Sequence, residues 1–437
     1  MFVRRVHNYM DRVRNFGRAT FSSLKIRNYR LYFIGQAVSL SGTWMQTVAL
    51  GWLVLELSGS GTQLGIVVAL QFLPMLLLGP WGGLVADRYN KRAILYCTQV
   101  AFFILAFGIS ILIFAGGATM PILYAFALLF GVVRLFDNPA RQTLVSELVD
   151  HAHLKNAVSL NATVNNLARA VGPSIAGVLI AGIGIAFCFF FNALTYVAAF
   201  ITLLYMKGDT VHAKVPKTRK KGELREGFRY VLATPLIRNT LIMMACIGTF
   251  VFEFQVSLPI LAQQVFHGDA KSYALLLAAM GAGSVLGGLF AAGRSTIAPH
   301  HLSMFMACFG VSLVAVALMP TLFLAACGMF VVGFFSINVT SLGNTIIQLE
   351  SAPHMRGRVM ALWGMAMMGS TPIGGPIIGF IGEFAGGRWG VGVGGAVALL
   401  TAAAAIIILR RNNSIQTISP AVEFRTNEAA MGNSKLP

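Results

Sequence analysis

Residues 185–206 read IAFCFFFNALTYVAAFITLLYM, a run without a single charged side chain. As a helix, a run of this kind climbs about 30 Å, the thickness of a bilayer's hydrocarbon core. Outward from it in both directions, similar stretches recur along nearly the whole 437-residue chain, which is 56% hydrophobic and only 11% charged. Soluble domains carry about a quarter charged residues, so water is not the main solvent of this protein. Only helices and closed barrels satisfy every backbone group inside lipid, and these runs are continuous rather than alternating, which selects helices.

Apolar runs bounded by Gly/Pro and charge clusters place spans at 29–57, 63–86, 92–115, 121–145, 158–183, 185–206, 238–262, 272–293, 299–319, 321–345, 357–384 and 389–410. That is about twelve crossings of an all-α membrane protein. The N-terminus is basic, but the first apolar run is too long for a signal-peptide core and ends in no small-x-small site, so it is expected to remain as the first span. Cys97, Cys188, Cys246, Cys308 and Cys327 all fall within apolar runs, without CxxC or nearby histidine, and read as packing residues.

The formal charge of +18 would suggest nucleic acid in a soluble protein. Here the loops explain it. One side collects Arg4, Arg5, Arg12, Arg14, Arg18, Lys25 and Arg27, then Arg88, Lys91 and Arg92, then the Lys214–Arg229 cluster, with Arg294, Arg356, Arg358, Arg410 and Arg411. The other side has only Lys271 and Arg388. Lys and Arg accumulate in cytoplasmic loops, so both termini are expected in the cytoplasm and no nucleic acid is implied. The longest interior polar segment divides the chain: a basic tail 1–28, a first six-span bundle 29–206, a linker 207–237, a second bundle 238–410 and a tail 411–437. Val3, Val6, Met10, Val13 and Phe16 have helical spacing in the first tail, which is either a surface helix on the membrane or a disordered basic arm.

Internal likeness supports two halves. Gly82-Gly83-Leu84-Val85-Ala86 closes span 2 and Gly287-Gly288-Leu289-Phe290-Ala291 closes span 8; spans 5 and 11 each follow a His-hydrophobe-basic triplet and carry Gly172-Pro173 and Gly375-Pro376. Parallel repeats of this kind are a transporter signature.

The loop Gly83-Leu84-Val85-Ala86-Asp87-Arg88-Tyr89-Asn90-Lys91-Arg92 holds the most specific chemistry. Asp87 falls at a helix C-terminus, where the dipole disfavours it, so it needs an outside partner; the free N–H groups at the start of span 11, near Arg356-Gly357, are the candidate, with Gly82 and Gly83 allowing close approach. The segment resembles the signature loop of the major facilitator superfamily, Gly-x-x-x-Asp-Arg/Lys-x-Gly-Arg/Lys-Arg/Lys, departing only at Asn90, where a left-handed turn tolerates asparagine next best. Arg134 to Gln142 and Met355 to Met360 resemble the bacterial subgroup of enterobactin exporters and transmembrane secretion effectors, and the likeness runs from about Asn28 to Leu409.

That resemblance implies two pseudo-symmetric six-helix bundles rocking about glycine-rich spans 2, 5, 8 and 11, and a charge relay of Asp87, Lys91 and Asp137 that locks the outward-open state. It implies interdomain packing through Gly172, Pro173, Gly283, Gly287, Gly375 and Pro376. Arg134, Asp137 and Arg141 share one face of span 4 and can pair along it, either as part of the gate or as a purely structural ion pair. Arg169, in mid-span 5 near Asn161, Asn165 and Asn166, either attracts an anionic substrate or is balanced by an acidic neighbour. Glu253 is the lone carboxylate well inside span 7, either the proton-coupling or substrate-binding acid or a structural partner of Arg169 or of a neighbouring helix. Gln36, Gln46, Gln71, Asn338 and Asn344 line a cavity or bond between helices.

The implied function is secondary export of a small molecule across the cytoplasmic (inner) membrane, by proton antiport, with siderophore-like cargo favoured. A multidrug or antibiotic efflux pump and a non-transporting receptor are the alternatives. No GxxxxGK[ST] loop, nucleophile-base set or HExxH is present, so ATP hydrolysis and enzymatic chemistry are not expected, nor a cofactor or metal. The partners are the cargo, the proton and the bilayer, with no obligate protein.

Overall fold

The structure is a computed structural model that describes residues 22–207, 223–294, 299–353, 355–368 and 370–412; the surface-helix reading of the first tail, the Lys214–Lys221 run and the second tail beyond 412 lie outside these. After a 3-10 turn at Ser22–Lys25, the helices are α1 (Arg27–Ser58), α2 (Gly61–Arg88), α3 (Lys91–Phe114), α4 (Met120–Leu148), α5 (His151–Gly182), α6 (Ile185–Leu204), α7 (Glu223–Ala233), α8 (Pro235–Phe250), α9 (Phe254–Gln264), α10 (Ala270–Ala292), α11 (Pro299–Leu318), α12 (Leu322–Glu350), α13 (Arg356–Met368), α14 (Thr371–Phe384) and α15 (Gly387–Asn412). Among the described residues, twelve segments are long and apolar enough to cross a membrane, with α8–α9 and α13–α14 each forming one crossing in two pieces.

The ends follow local chemistry. Gly59, at φ 64°, lets α1 stop in the left-handed region that other residues avoid. Ser60 then caps α2, accepting from Gln63 N. Asn90, expected in a left-handed turn, instead has φ −61° and caps α3 by accepting from Arg92 N; an asparagine oxygen does this where a glycine cannot. Span 5 starts seven residues before its expected position, because Asp150 caps α5 through His153 N. Span 11 breaks where Pro372 opens α14: proline suits a first turn and disfavours helix in the residue before it. Span 7 breaks at Val251–Glu253 with no proline or glycine to announce it. The 207–237 segment, read as linker, contains α7, which lies against α13 through Arg358 Nη1 to Glu226 Oε2 at 2.8 Å.

In the first half, α1 packs on α5 and α6, α2 on α4, and α3 on α4 and α6. In the second, α10 packs on α12, α11 on α12 and α15, and the broken span α8–α9 on α13, α14 and α15. The halves meet mainly along two crossings, α2 with α14 and α5 with α10, the swapped pairs expected of two related six-helix units. Arg88, Lys91, Arg92, Arg356 and Arg358 lie on one side of the bundle, its basic face.

Candidate functional site: the seam between the halves

The seam is tight away from the basic face. There α2 begins and α14 ends, and their backbones touch at glycines: a Cβ on Gly65 would overlap the Gly375 carbonyl and lie 2.8 Å from Pro376 Cα, and one on Gly379 would overlap Gly61. Only hydrogen fits at such contacts. Glu383, in the last turn of α14, adds a polar tie. Its Oε2 accepts from Ser60 Oγ at 2.7 Å and from Thr62 N at 2.9 Å, so a carboxylate from the second half sits on the N-terminus of α2. Free N–H groups and the helix dipole both favour a negative charge at that position. The second crossing is equally close: a Cβ on Gly281 of α10 would lie 2.6 Å from Ala170 N and 2.7 Å from Arg169 C, and Gly177 meets Ala274.

Toward the basic face the seam parts. Although α2 packs along α14, it hardly touches α13. Added Cβ atoms at Gly79, Gly288, Gly357 or Gly364 would meet nothing within 4 Å. Asp87 occupies the last turn of α2, and its side chain, with the expected cap on span 11, lies outside the described residues. Gly82, expected to face span 11, packs on Leu135 of α4, whose Cδ1 would be 3.0 Å from its Cβ; Gly83 is half-buried and Arg88 exposed.

Of the expected relay, only Lys91 and Asp137 have described side chains, and they are apart in this state. Lys91 Nζ contacts Glu147 Oε1 at 3.2 Å rather than Asp137. Asp137, 5% exposed, pairs with Arg141 and accepts from Thr98 Oγ1 at 2.7 Å and Gln99 Nε2 at 3.0 Å. Arg141 also donates to Gln36. Arg134 does not join this pair; its guanidinium lies over the Phe72 ring, 5.0 Å from the centroid. Arg92 donates to the carbonyls of Met206 and Lys207, tying α3 to the end of α6.

Several substrate candidates are committed to packing within one half. Gln36 is held by Arg141, and Gln46 accepts from Asn192 Nδ2 at 2.7 Å. Asn338, fully buried, donates to Phe334 O and Gly287 O and accepts from Arg294 Nη2 at 2.8 Å. Four of the six residues expected between the halves are not seen at the seam. Gly172 packs on Ser41 and Trp44 of its own half, the buried Pro173 follows it, and Gly283 and Gly287 press on Phe330 and Phe334 of α12. Gly375 and Pro376 do lie at the seam, joined by Gly61, Gly65, Gly177, Gly281 and Gly379.

Three candidates keep uncommitted polar atoms. Glu253, 2% exposed at the break in span 7, has Oε1 buried without a hydrogen-bond partner; Gly374 and Gly375 leave space beside its carboxyl, whose oxygens lie 3.0 Å and 3.7 Å from where their Cβ atoms would be. Arg169 lies 4.9 Å above the Trp44 ring with Nε unpaired, and no salt bridge joins it to Glu253 or to another described acid. Asn165 is exposed and bonds only back to Asn161 O, at 2.8 Å. Glu383, Ser60 and Glu147 carry no sequence motif that marks them as partners; Gly59-Ser60 before an apolar run is a legible cap, but the second partner of Ser60, 323 positions on, is not.

A two-half bundle of twelve crossings with a glycine-lined seam, closed on one side and parted on the other, defines a transporter of the major facilitator fold. The chain belongs to the transmembrane secretion effector family of that superfamily, which it matches over residues 18–431. It is 25% identical to the staphyloferrin A transporter of Staphylococcus aureus over 79% of this chain and 87% of that protein. Identity is also 25% to the multidrug efflux pump Tap of Mycolicibacterium fortuitum, over the same shares, and 24% to the enterobactin exporter EntS of Escherichia coli, over 81% and 85%. In fold it is similar to the nucleoside transporter NupG, with a TM-score of 0.67, 14% identity, and coverage of 89% of this chain and 98% of that one. A bacterial homologue of the lysosomal transporter Spinster gives a TM-score of 0.65 at 14% identity, over 87% and 94%.

Proposed function

We propose that this protein exports a small molecule across the cytoplasmic membrane by proton-driven alternating access, with both termini in the cytoplasm and a siderophore-like cargo. The observation that carries this reading is the asymmetry of the seam: closed by Glu383 and glycine backbones on one face, parted on the face rich in Lys and Arg. The Lys/Arg excess makes that face cytoplasmic, so this state is open inward. Spans 2 and 11 run antiparallel, and each ends in an acid near the start of the other: Glu383 on the N-terminus of α2, and Asp87 on the side where α13 begins. Two reciprocal caps, one engaged at a time, give the two states. The relay of Asp87, Lys91 and Asp137 that the family resemblance implies belongs to the other, outward-open state.

Glu253 supplies a proton site, since a neutral carboxyl tolerates its buried position, whereas an ionised one would leave Oε1 buried with neither a donor nor a counter-charge beside it. Export and siderophore-like cargo rest on the relatives named above; the relative named as a multidrug pump supports the second reading, a broader efflux pump. Flux in vesicles containing the purified protein, with and without a pH gradient, tests both. Glu253→Gln is expected to abolish gradient-driven accumulation and keep cargo exchange. Gradient-driven flux of wild-type strength in this variant would remove the coupling role.

A further inference from the structure

Inside the bundle, arginines are held in different ways. Arg141 has Asp137 and Gln36, Arg294 has Asn338, and Arg388 has the carbonyls of Ala317 and Met319. Arg134 has only the Phe72 ring, but stands one helical turn from Asp137; Arg169 has only the Trp44 ring and no acid on its own helix nearby. It sits mid-way along α5 with its guanidinium on the Trp44 ring and a buried Nε that finds no acceptor. A cation at this depth is costly unless something compensates it, and one indole face replaces only part of a counter-charge.

Among the described residues, no acid forms an ion pair with Arg169. Asp137 is taken by Arg141, Glu147 by Lys91, Glu383 by Ser60 and Thr62, and Glu56 by Trp52 Nε1. Glu253 lies in the other half against Gly374 and Gly375. The position of Arg169 is equally telling. Its carbonyl carbon and the next amide form the contact with Gly281 of α10, so it stands where the halves meet, at the edge of the parted region. One turn toward the basic face, Asn165 and Asn166 bond only to their own helix, through Asn161 O and Ala162 O, which leaves their side-chain oxygens open on the approach.

We infer that Arg169, backed by Trp44, is the anchor for an anionic group of the cargo, a carboxylate or similar oxyanion; this rests on the transport reading. A guanidinium held over a ring face by its Cζ still has its terminal N–H groups to offer an oxyanion, in a planar fork that an ammonium cannot match. The anion supplies the missing counter-charge only while cargo is bound, which makes Arg169 a substrate-binding residue rather than a structural one.

The test uses full-length protein in nanodiscs, titrated calorimetrically with citrate, with 2,3-dihydroxybenzoate and, as a cationic control, with ethidium. The wild type is expected to bind at least one anionic probe, less tightly at high salt. Arg169→Gln should weaken that binding about tenfold or more, and Arg169→Lys by less, as loss of a charged bidentate contact requires. Equal anion affinity in wild type and Arg169→Gln, or wild-type binding of ethidium alone, overturns the inference. If Arg169→Gln does not fold, Arg169→Lys, checked by its thermal unfolding, decides: undiminished anion binding with unchanged salt dependence overturns it. Vesicle flux separates the two readings, because Arg169-dependent binding without flux in any variant removes transport and leaves the site, whereas export of the anionic probe indifferent to Arg169 removes the site and leaves transport.

Discussion

Replacing Glu383 by alanine removes both hydrogen bonds that join the end of α14 to the start of α2. A hydrogen bond to a charged group contributes about 1.5–3 kcal/mol net, and a carboxylate at a helix N-terminus a further 0.3–1 kcal/mol or so. Glu383 is half-buried, and in the open state water takes over as donor, so the lower end applies: about 2 kcal/mol lost from the closed arrangement. That is roughly a thirtyfold shift in the ratio of closed to open. Glu383→Gln keeps an acceptor oxygen and loses the charge, for about 1 kcal/mol and roughly fivefold. Spin labels at Ala115 and Pro320, on loops of the two halves on the face away from the basic one, report the change by pulsed electron resonance, in a background without the exposed Cys97 and Cys327. The expected result is growth of a longer-distance population in the order wild type, Gln, Ala, with the gap between variants narrowing in high salt. An unchanged distance distribution in Glu383→Ala would refute the lock.

Other positions give separate checks. Gly65→Ala places a methyl against the backbone of Gly375 and Pro376, which cannot move aside as a side chain does, so the same spin labels should report persistent opening; Gly364→Ala, with nothing within 4 Å, should leave the distances as in wild type. Asp137→Asn leaves Arg141 buried without its counter-charge, at a cost of about 3–5 kcal/mol, seen as a lowered thermal unfolding midpoint in detergent; an unchanged midpoint would show that Gln36 alone suffices for Arg141. Glu253→Gln separates proton coupling from cargo exchange, as set out above.

Sequence alone determined that the chain crosses a membrane about twelve times, because a helix in lipid must be apolar over its full length, and that requirement is written in consecutive residues. It also determined the family: the loop from Gly83 to Arg92 is a local pattern, legible without knowing what packs on it. Caps were legible for the same reason, and Ser60, Asn90 and Asp150 each act within three residues of their own position. Tertiary structure alone decided which of the polar residues are free. Gln36, Gln46 and Asn338 look from the sequence like Asn165 and Arg169, yet the first three are satisfied by partners 44 to 146 positions away. Glycines divide in the same way. Gly283 and Gly281 are two residues apart on one helix, and the turn of that helix sends the first toward α12 in its own half and the second toward α5 in the other. Whether Glu383 caps a helix depends on where a chain segment 323 residues away begins, a fact of packing that no local pattern contains.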